Sequence, residues 1–232
     1  RVLTVLGPGG TGKTRIAIEV ASRVETGFED GKWFVDLSRI SDPAGIEAEI
    51  AASLGLAPAE HQPVSQQIHT RLAGRRTLLI LDNCEHLIED AAETAAELVR
   101  DCGELTVLAT SREALMIEGE VTYRLDPLET PGSTELDSIG QYEAVTLFLE
   151  RVKAVEPAFQ LDSDAAATVA EICSRLDGMP LALELAAAQM RFMGLTELAG
   201  RIGEDSSSLR SRSRGVSKRQ RSMKDLIDWS WN

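Results

Sequence analysis

A glycine-rich run near the start of the chain has the residue types and the spacing that a bound triphosphate needs. It follows the apolar stretch Arg1–Leu6 and has the pattern G-x-x-x-x-G-K-T. Glycines let backbone N–H groups approach phosphate oxygens without side chains in the way, and they allow unusual φ and ψ angles. The sequence therefore predicts a phosphate-binding loop. The residues expected to contact the nucleotide here are Gly7, Pro8, Gly9, Gly10, Thr11, Gly12, Lys13 and Thr14.

Two side chains of this loop carry the predicted chemistry. Lys13 supplies a positive charge for the β- and γ-phosphates, and Thr14 places a hydroxyl where Mg²⁺ should lie. A helix is expected to begin here and to present its positive N-terminal end to the anion, because apolar residues follow at helical spacing. The alternative is an ordinary glycine-rich turn between a strand and a helix. The apolar residues are Ile16, Ala17, Val20, Ala21 and Val24.

A buried strand is predicted over Arg75–Asp82, and it ends in an acid. Ligands of open α/β folds bind at the carboxyl ends of the strands, so Asp82 is expected beside the phosphate loop. There it would be the second anchor of Mg²⁺, directly or through water. The alternative is that Asp82 caps a helix that starts near Glu85, since aspartate is a favoured N-cap residue.

The next predicted strand, Glu104–Thr110, is followed by Ser111 and Arg112 at the same expected edge of the sheet. The planar guanidinium of Arg112 could engage the γ-phosphate of a bound nucleotide. The alternative is that Arg112 is a solvated loop residue. The candidate catalytic and binding residues near the phosphates are thus Asp82 and Arg112.

The order of predicted elements indicates an α/β class with a P-loop NTPase architecture, a three-layer parallel sheet over residues 1–130. Strands stop after Val121–Leu125, and the Pro- and Gly-containing stretch Asp126–Ile139 has the composition of a linker. Residues 140–205 are predicted to form a small all-α bundle. Its helices are expected at Glu143–Val155, Ser163–Leu176, Pro180–Met193 and Thr196–Ile202.

A basic segment follows the bundle and departs from the charge of the rest of the chain. Ser206–Lys224 contains seven Lys or Arg residues and no acid, and it is either a nucleic-acid-binding arm or a solvated linker. The linker interpretation is favoured because the segment has no aromatic residues among its cations. An apolar pattern from Met223 to Trp231 predicts a further helix, so residues 206–232 are expected to be a linker and the first helix of a truncated domain.

The composition of the chain argues against several classes of protein. The 232-residue chain has a formal charge of −13, which argues against a general affinity for nucleic acid. No apolar run approaches the ~20 residues that a membrane-spanning helix needs. Three widely spaced cysteines indicate reduced thiols and a cytoplasmic location, and the three histidines have no metal-ligand spacing.

Five motifs in order give the chain a family likeness over nearly its whole length. It resembles the STAND (NB-ARC-like) ATPase module of large bacterial transcriptional regulators. The motifs are Gly7-Pro-Gly-Gly-Thr-Gly-Lys-Thr14, Leu78-Leu-Ile-Leu-Asp-Asn-Cys-Glu-His-Leu87, Thr110-Ser-Arg-Glu-Ala-Leu115, Gly178-Met-Pro-Leu-Ala182 and Arg219-Gln-Arg-Ser-Met-Lys-Asp-Leu-Ile-Asp-Trp-Ser-Trp231.

This resemblance implies a nucleotide-binding α/β domain, a helical bundle and the start of a winged-helix domain. It implies that Arg112 senses the γ-phosphate and that Pro180 packs near the adenine of ATP or ADP. In such proteins ADP holds a closed state, and exchange for ATP opens the protein for self-association. DNA is then expected to be bound only through other domains of a longer parent protein.

One departure from the pattern of brisk ATPases concerns the residue after the strand aspartate. That position usually carries an acid, and here it is Asn83, whose amide cannot take a proton from water. A general base would have to be Glu85, or none is present. We therefore expect a slow Mg²⁺-dependent ATPase that acts as a switch. The rival interpretations are a fast motor or remodelling ATPase and a non-hydrolysing scaffold that keeps ADP bound.

Overall fold

The computed structural model describes residues 1–57, 61–132 and 136–208. The chain forms two compact units, Arg1–Leu125 and a second that begins at Asp126. Apart from the end of one helix, the basic segment and the expected winged-helix start at 206–232 lie outside the described residues.

The first unit alternates strands with helices, as the sequence predicts. In chain order it contains β1 (Val2–Leu6), α1 (Lys13–Arg23), β2 (Gly31–Asp36), α2 (Ala44–Ser53), α3 (Val64–Leu72), β3 (Thr77–Asp82), a 3₁₀ turn (Cys84–His86), α4 (Ile88–Asp101), β4 (Thr106–Ser111) and β5 (Glu120–Arg124). The five strands described here are parallel and lie in the order β2-β3-β4-β1-β5. Because β3, β4 and β1 are neighbours, their carboxyl ends meet at one edge of the sheet.

The sheet is covered on both faces, because successive side chains of a strand point to opposite sides. On one face Ala17 and Ala21 of α1 pack with Val5 and Ile80 of the sheet. The other face packs against α2, α3 and α4 in a larger core, to which Leu79 and Leu81 of β3 contribute. All six residues of β3 are buried, as a continuous apolar run in a central strand requires. The predicted three-layer parallel sheet is confirmed.

The second unit is helical in its described part. Its helices are α5 (Leu136–Ile139), α6 (Glu143–Val155), α7 (Ser163–Arg175), α8 (Pro180–Gln189) and α9 (Leu195–Ser208). Phe148, Ile172, Leu183 and Leu198 are fully buried in a core of their own. Asp162 caps α7 by accepting a hydrogen bond from the Ala165 N–H, and Pro180 occupies the first turn of α8.

The stretch Asp126–Ile139, which the sequence indicates as a linker, is part of this second unit. The Leu128 N–H donates to the Gly178 carbonyl at 3.0 Å, and the Ala144 N–H donates to the Glu129 carbonyl at 3.2 Å. Ile139 is fully buried. The Pro and Gly residues do mark irregular backbone, but composition does not reveal that this backbone is hydrogen-bonded to the bundle.

The three cysteines are buried and form no disulfide. Burial raises the pKa of Cys84 and of Cys173 to about 12, so thiolate is scarce at these positions near neutral pH. Over residues 1–57, 61–132 and 136–208, no helix is both long enough and apolar enough to cross a membrane.

Gly178 provides a test of how the second unit is held together. Its φ is +64°, and a Cβ at this position would overlap the carbonyl oxygen of Leu128. We expect Gly178→Ala to destabilise the chain by about 2 kcal/mol or more, because it adds both a strained φ and a backbone clash. Urea unfolding followed by far-ultraviolet circular dichroism measures the effect.

The control for this prediction is Gly200→Ala in α9. Gly200 has open space where the Cβ would be placed and no positive φ, so alanine should be neutral or slightly stabilising. Equal unfolding midpoints for the two variants would contradict the role assigned to Gly178.

Candidate functional site

The glycine-rich loop connects the end of β1 to the first residue of α1, at the carboxyl edge of the sheet. Gly10 and Gly12 have φ values of 81° and 94°, in the left-handed region that favours glycine. A Cβ on Gly7 would lie 2.8 Å from the Leu125 carbonyl oxygen. The Thr11 hydroxyl donates to the Pro8 carbonyl at 2.9 Å. These contacts fix a compact loop whose shape depends on its glycines.

Lys13 is the first residue of α1, and its side chain reaches back into this loop. Its ammonium donates to the Gly7 carbonyl at 2.9 Å and to the Pro8 carbonyl at 3.2 Å, and the residue is buried. Burial lowers the pKa of Lys13, because desolvation disfavours the charged form, and the carboxylate of Glu85 opposes this shift. The Lys13 ammonium is therefore hydrogen-bonded to backbone carbonyls of the loop. An anionic ligand bound there would give it a partner of opposite charge.

Asp82 joins the loop to the neighbouring strands. Its carboxylate accepts from the Thr14 hydroxyl at 2.8 and 2.9 Å and from the Thr110 hydroxyl at 2.6 Å. Thr110, at the end of β4, also accepts from the Asn83 N–H at 3.0 Å. Thr110 thus orients both the carboxylate of Asp82 and the backbone that follows it. The hydroxyl of Thr110 is visible in the sequence pattern, but its bridge between Asp82 and Asn83 is not.

The alternative interpretation of Asp82 as a helix cap does not fit this geometry. The 3₁₀ turn after β3 is preceded by Asn83, and it has no side-chain cap hydrogen bond. Asn83 has a φ of 65° and a ψ of 48°, in the left-handed region that asparagine adopts more readily than most residues. The carboxylate of Asp82 is instead directed to the hydroxyls of Thr14 and Thr110.

The oxygen atoms of Thr14 and Asp82 are suited to Mg²⁺, which prefers hard oxygen ligands. The Thr14 hydroxyl donates a hydrogen bond to the Asp82 carboxylate, so the lone pairs of its oxygen remain available to a cation. In the described ranges no group of three or more His, Cys, Asp or Glu side chains is arranged to hold a metal. A magnesium ion held by Thr14 and Asp82 would therefore need phosphate oxygens and water for its other positions.

Glu85 and Arg112 form an ion pair beside the loop. The Arg112 Nε donates to Glu85 Oε1 at 2.9 Å, with side-chain exposures of 55% for Arg112 and 14% for Glu85. The other carboxylate oxygen, Oε2, is buried and has no hydrogen-bond partner. Arg112 is thus tied to a carboxylate rather than solvated freely, and sequence spacing alone gave no sign of this pair.

The guanidinium of Arg112 also reaches the phosphate loop. Its Nη2 would lie 3.3 Å from a Cβ built on Gly9. Lys13, Asp82, Glu85 and Arg112 therefore lie around one edge of the sheet, as the positions of their strands predict. Pro180 belongs to the second unit, where it begins α8.

A parallel sheet with a glycine-rich loop between β1 and α1 and an aspartate ending β3 defines a P-loop NTPase fold. A family model described as an AAA domain matches residues 1–116. The chain belongs to this family.

Similar sequences occur in bacterial regulators. A protein of Mycobacterium tuberculosis named "Putative HTH-type transcriptional regulator Rv0890c" is 40% identical over 230 residues, which are 99% of this chain and 25% of that protein. The regulatory protein AfsR of Streptomyces coelicolor is 29% identical over 215 residues, 88% of this chain and 20% of that protein. The chain thus spans a quarter or less of these relatives. The predicted resemblance to modules of large bacterial regulators is confirmed.

The fold is also found in solved structures. The crystal structure of Cdc6p from Pyrobaculum aerophilum aligns with a TM-score of 0.58 over 93% of this chain and 62% of that chain. The sequence identity is 15%, so this similarity concerns the fold alone.

Proposed function

We propose that this chain is an ATP- and ADP-binding switch module of a larger transcriptional or signalling regulator, related to the STAND class. The observation that carries the proposal is the arrangement of Lys13 inside the loop beside the bonded pair Thr14 and Asp82. A buried ammonium suits the β- and γ-phosphates of Mg-ATP, and a hydroxyl–carboxylate pair suits the Mg²⁺ bound to them.

Magnesium, when bound with the nucleotide, would neutralise charge on the phosphate oxygens. The role of Thr14 and Asp82 is to hold and orient it, and Thr110 keeps the Asp82 carboxylate in place. Lys13 binds the same phosphates from inside the loop. Binding of the triphosphate is thus supported by several groups of this chain.

The residues around Asp82 favour slow hydrolysis. Asn83 follows Asp82 and offers an amide in place of an acid. The nearest candidate base is Glu85, and its carboxylate is already paired with Arg112. That contact occupies one oxygen of the carboxylate, which would have to leave Arg112 or use its other oxygen to reach an attacking water, so we expect slow turnover. A long-lived ATP state is what a switch needs.

The rest of the proposal concerns the response to nucleotide. We propose that ADP maintains a closed state and that ATP permits self-association. Pro180 would pack near the adenine, and DNA would be bound by other parts of a longer parent protein. The regulator names of the relatives support this context.

Sedimentation velocity tests the proposed switch. The chain saturated with ADP should sediment as a smaller species than the chain saturated with a non-hydrolysable ATP analogue and Mg²⁺. The nucleotide released by denaturing the purified protein is a second readout, and copurified ADP is expected. Identical sedimentation with both nucleotides would contradict nucleotide-controlled self-association.

Arg112 is predicted to distinguish ATP from ADP. Arg112→Ala should weaken ATP binding by about tenfold or more, because a charge-assisted bond to a phosphate is worth roughly 1.5–3 kcal/mol. ADP lacks that phosphate, so its affinity should change by less than about twofold. Calorimetric titrations with each nucleotide measure both values.

The matched control is Arg23→Ala, at the end of α1. Arg23 is exposed and pairs with Glu19 in the same helix, so neither nucleotide should bind differently. Equal losses of ATP and ADP affinity in Arg112→Ala would indicate a structural role and would contradict the γ-phosphate contact.

A further inference from the structure

The carboxylate of Glu85 lies among the groups that would receive the terminal phosphate. One of its oxygens accepts from Arg112 Nε at 2.9 Å, and the other is buried without a hydrogen-bond partner. Among the acids that raise the pKa of Lys13, Glu85 has the largest effect, ahead of Asp82. Glu85 is therefore in direct contact with one cation of the site, Arg112, and is the acid with the largest effect on the other, Lys13.

A γ-phosphate would have to enter the same space. Lys13 and Arg112 are the cations proposed to bind it, and the Nη2 of Arg112 is already directed to Gly9 of the loop. A phosphate that reaches both cations would bring its negative charge close to the carboxylate of Glu85. Like charges a few ångströms apart at a partly buried site repel strongly enough to shift an affinity tenfold or more.

ADP is repelled less by Glu85, because it lacks the γ-phosphate that would lie close to this carboxylate. Lys13 can serve the β-phosphate, while Glu85 and Arg112 keep their ion pair. ATP must either hold two anions beside the same guanidinium or displace Glu85 from it. The free-energy cost of this repulsion, or of displacing Glu85, is therefore larger for ATP than for ADP.

We propose that Glu85 is a specificity-determining residue whose negative charge favours ADP over ATP in the resting protein. This inference rests on the proposed nucleotide-binding function. It differs from the role of Glu85 as a possible base, because a base alters the rate of hydrolysis and this effect alters equilibrium binding. The switch would then be biased toward its ADP state by a residue of the site itself.

The experiment is an equilibrium titration of Glu85→Gln with ATP and with ADP in the presence of EDTA. Removal of divalent cations prevents hydrolysis, so affinity is measured apart from turnover. Glutamine has the shape of glutamate and keeps an oxygen that can accept from Arg112, but it has no charge. We expect ATP to bind about tenfold more tightly than to the unmodified chain and ADP to change by less than about twofold.

Two further variants sharpen the result. Glu89→Gln, at an exposed position in the first turn of α4, removes the same charge from the same unit and should leave the ratio of ATP to ADP affinity unchanged. Glu85→Ala should shift the ratio in the same direction as Glu85→Gln, and it provides the measurement if the glutamine variant does not fold. Melting curves establish that each variant is folded.

The results of these titrations distinguish a failure of the inference about Glu85 from a failure of the proposed nucleotide-binding function. A ratio that stays within about twofold of the unmodified chain, or a loss of ATP affinity in Glu85→Gln, overturns the inference while nucleotide binding stands. If the unmodified chain binds neither nucleotide, in EDTA or with Mg²⁺, the proposed function fails, and the inference fails with it.

Discussion

Replacing Lys13 with alanine should weaken the binding of Mg-ATP by about a hundredfold or more. The variant removes a buried ammonium that the loop holds 2.9 Å from the Gly7 carbonyl. Hydrogen bonds to charged groups contribute roughly 1.5–3 kcal/mol each, and Lys13 would make more than one to the phosphates. The backbone N–H groups of the loop would supply the remaining affinity. Isothermal titration calorimetry of both proteins with Mg-ATP gives the difference.

The control for this change is Lys153→Ala, an exposed position in α6 of the second unit. It alters the net charge by the same amount and should not change the affinity. If Lys13→Ala bound Mg-ATP within about threefold of the unmodified chain, the assignment of the loop would be wrong.

Hydrolysis by the isolated chain is expected to be slower than about one turnover per minute. Thr14 and Asp82 are proposed to orient the metal, but Asn83 cannot accept a proton from the attacking water. Glu85, the remaining candidate, is held by Arg112. Nucleotide switches with incomplete sites turn over at about 10⁻³ s⁻¹, whereas a typical enzyme reaches ~10 s⁻¹.

Steady-state phosphate release at saturating Mg-ATP measures this rate, and saturation ensures that weak binding is not mistaken for slow chemistry. Lys13→Ala serves as the background control. A rate above about 1 s⁻¹ that Glu85→Gln abolishes would contradict the slow switch and would identify Glu85 as the base.

The phosphate loop and Asp82 could be predicted from the sequence because both follow from short-range rules. The loop requires glycine at fixed positions, and Gly10 and Gly12 do have left-handed φ values. The run that ends in Asp82 is buried on both faces, as expected of a central parallel strand. Parallel topology then brings the ends of β1, β3 and β4 together.

The ion pair between Glu85 and Arg112 could not be predicted in this way. These residues are 27 positions apart in the chain, and their contact depends on the direction of the turn after β3. That direction is set by the left-handed conformation of Asn83 and by its hydrogen bond to Thr110. A sequence pattern records neither the sign of φ at an asparagine nor the hydroxyl that fixes it.

The stretch 126–139 shows a second feature that the sequence does not predict, namely the long-range contacts of an irregular segment. Its Pro, Gly and polar residues indicate a break in the long helices and strands, and over 126–132 and 136–139 the structure has only the four-residue helix α5. They do not indicate whether the backbone is hydrogen-bonded to the neighbouring bundle, as Leu128 is to Gly178. Loop composition reports local conformation, whereas partners distant in sequence decide which compact unit the segment joins.

A single nucleotide site at the phosphate loop is the central feature of the proposed function. Calorimetric titration of the unmodified chain with Mg-ATP, repeated on Lys13→Ala, tests that site alone. We expect saturable binding of one nucleotide per chain to the unmodified protein and little or no measurable binding to the variant. The absence of saturable binding to the unmodified chain, or equal binding to both proteins, would contradict the account.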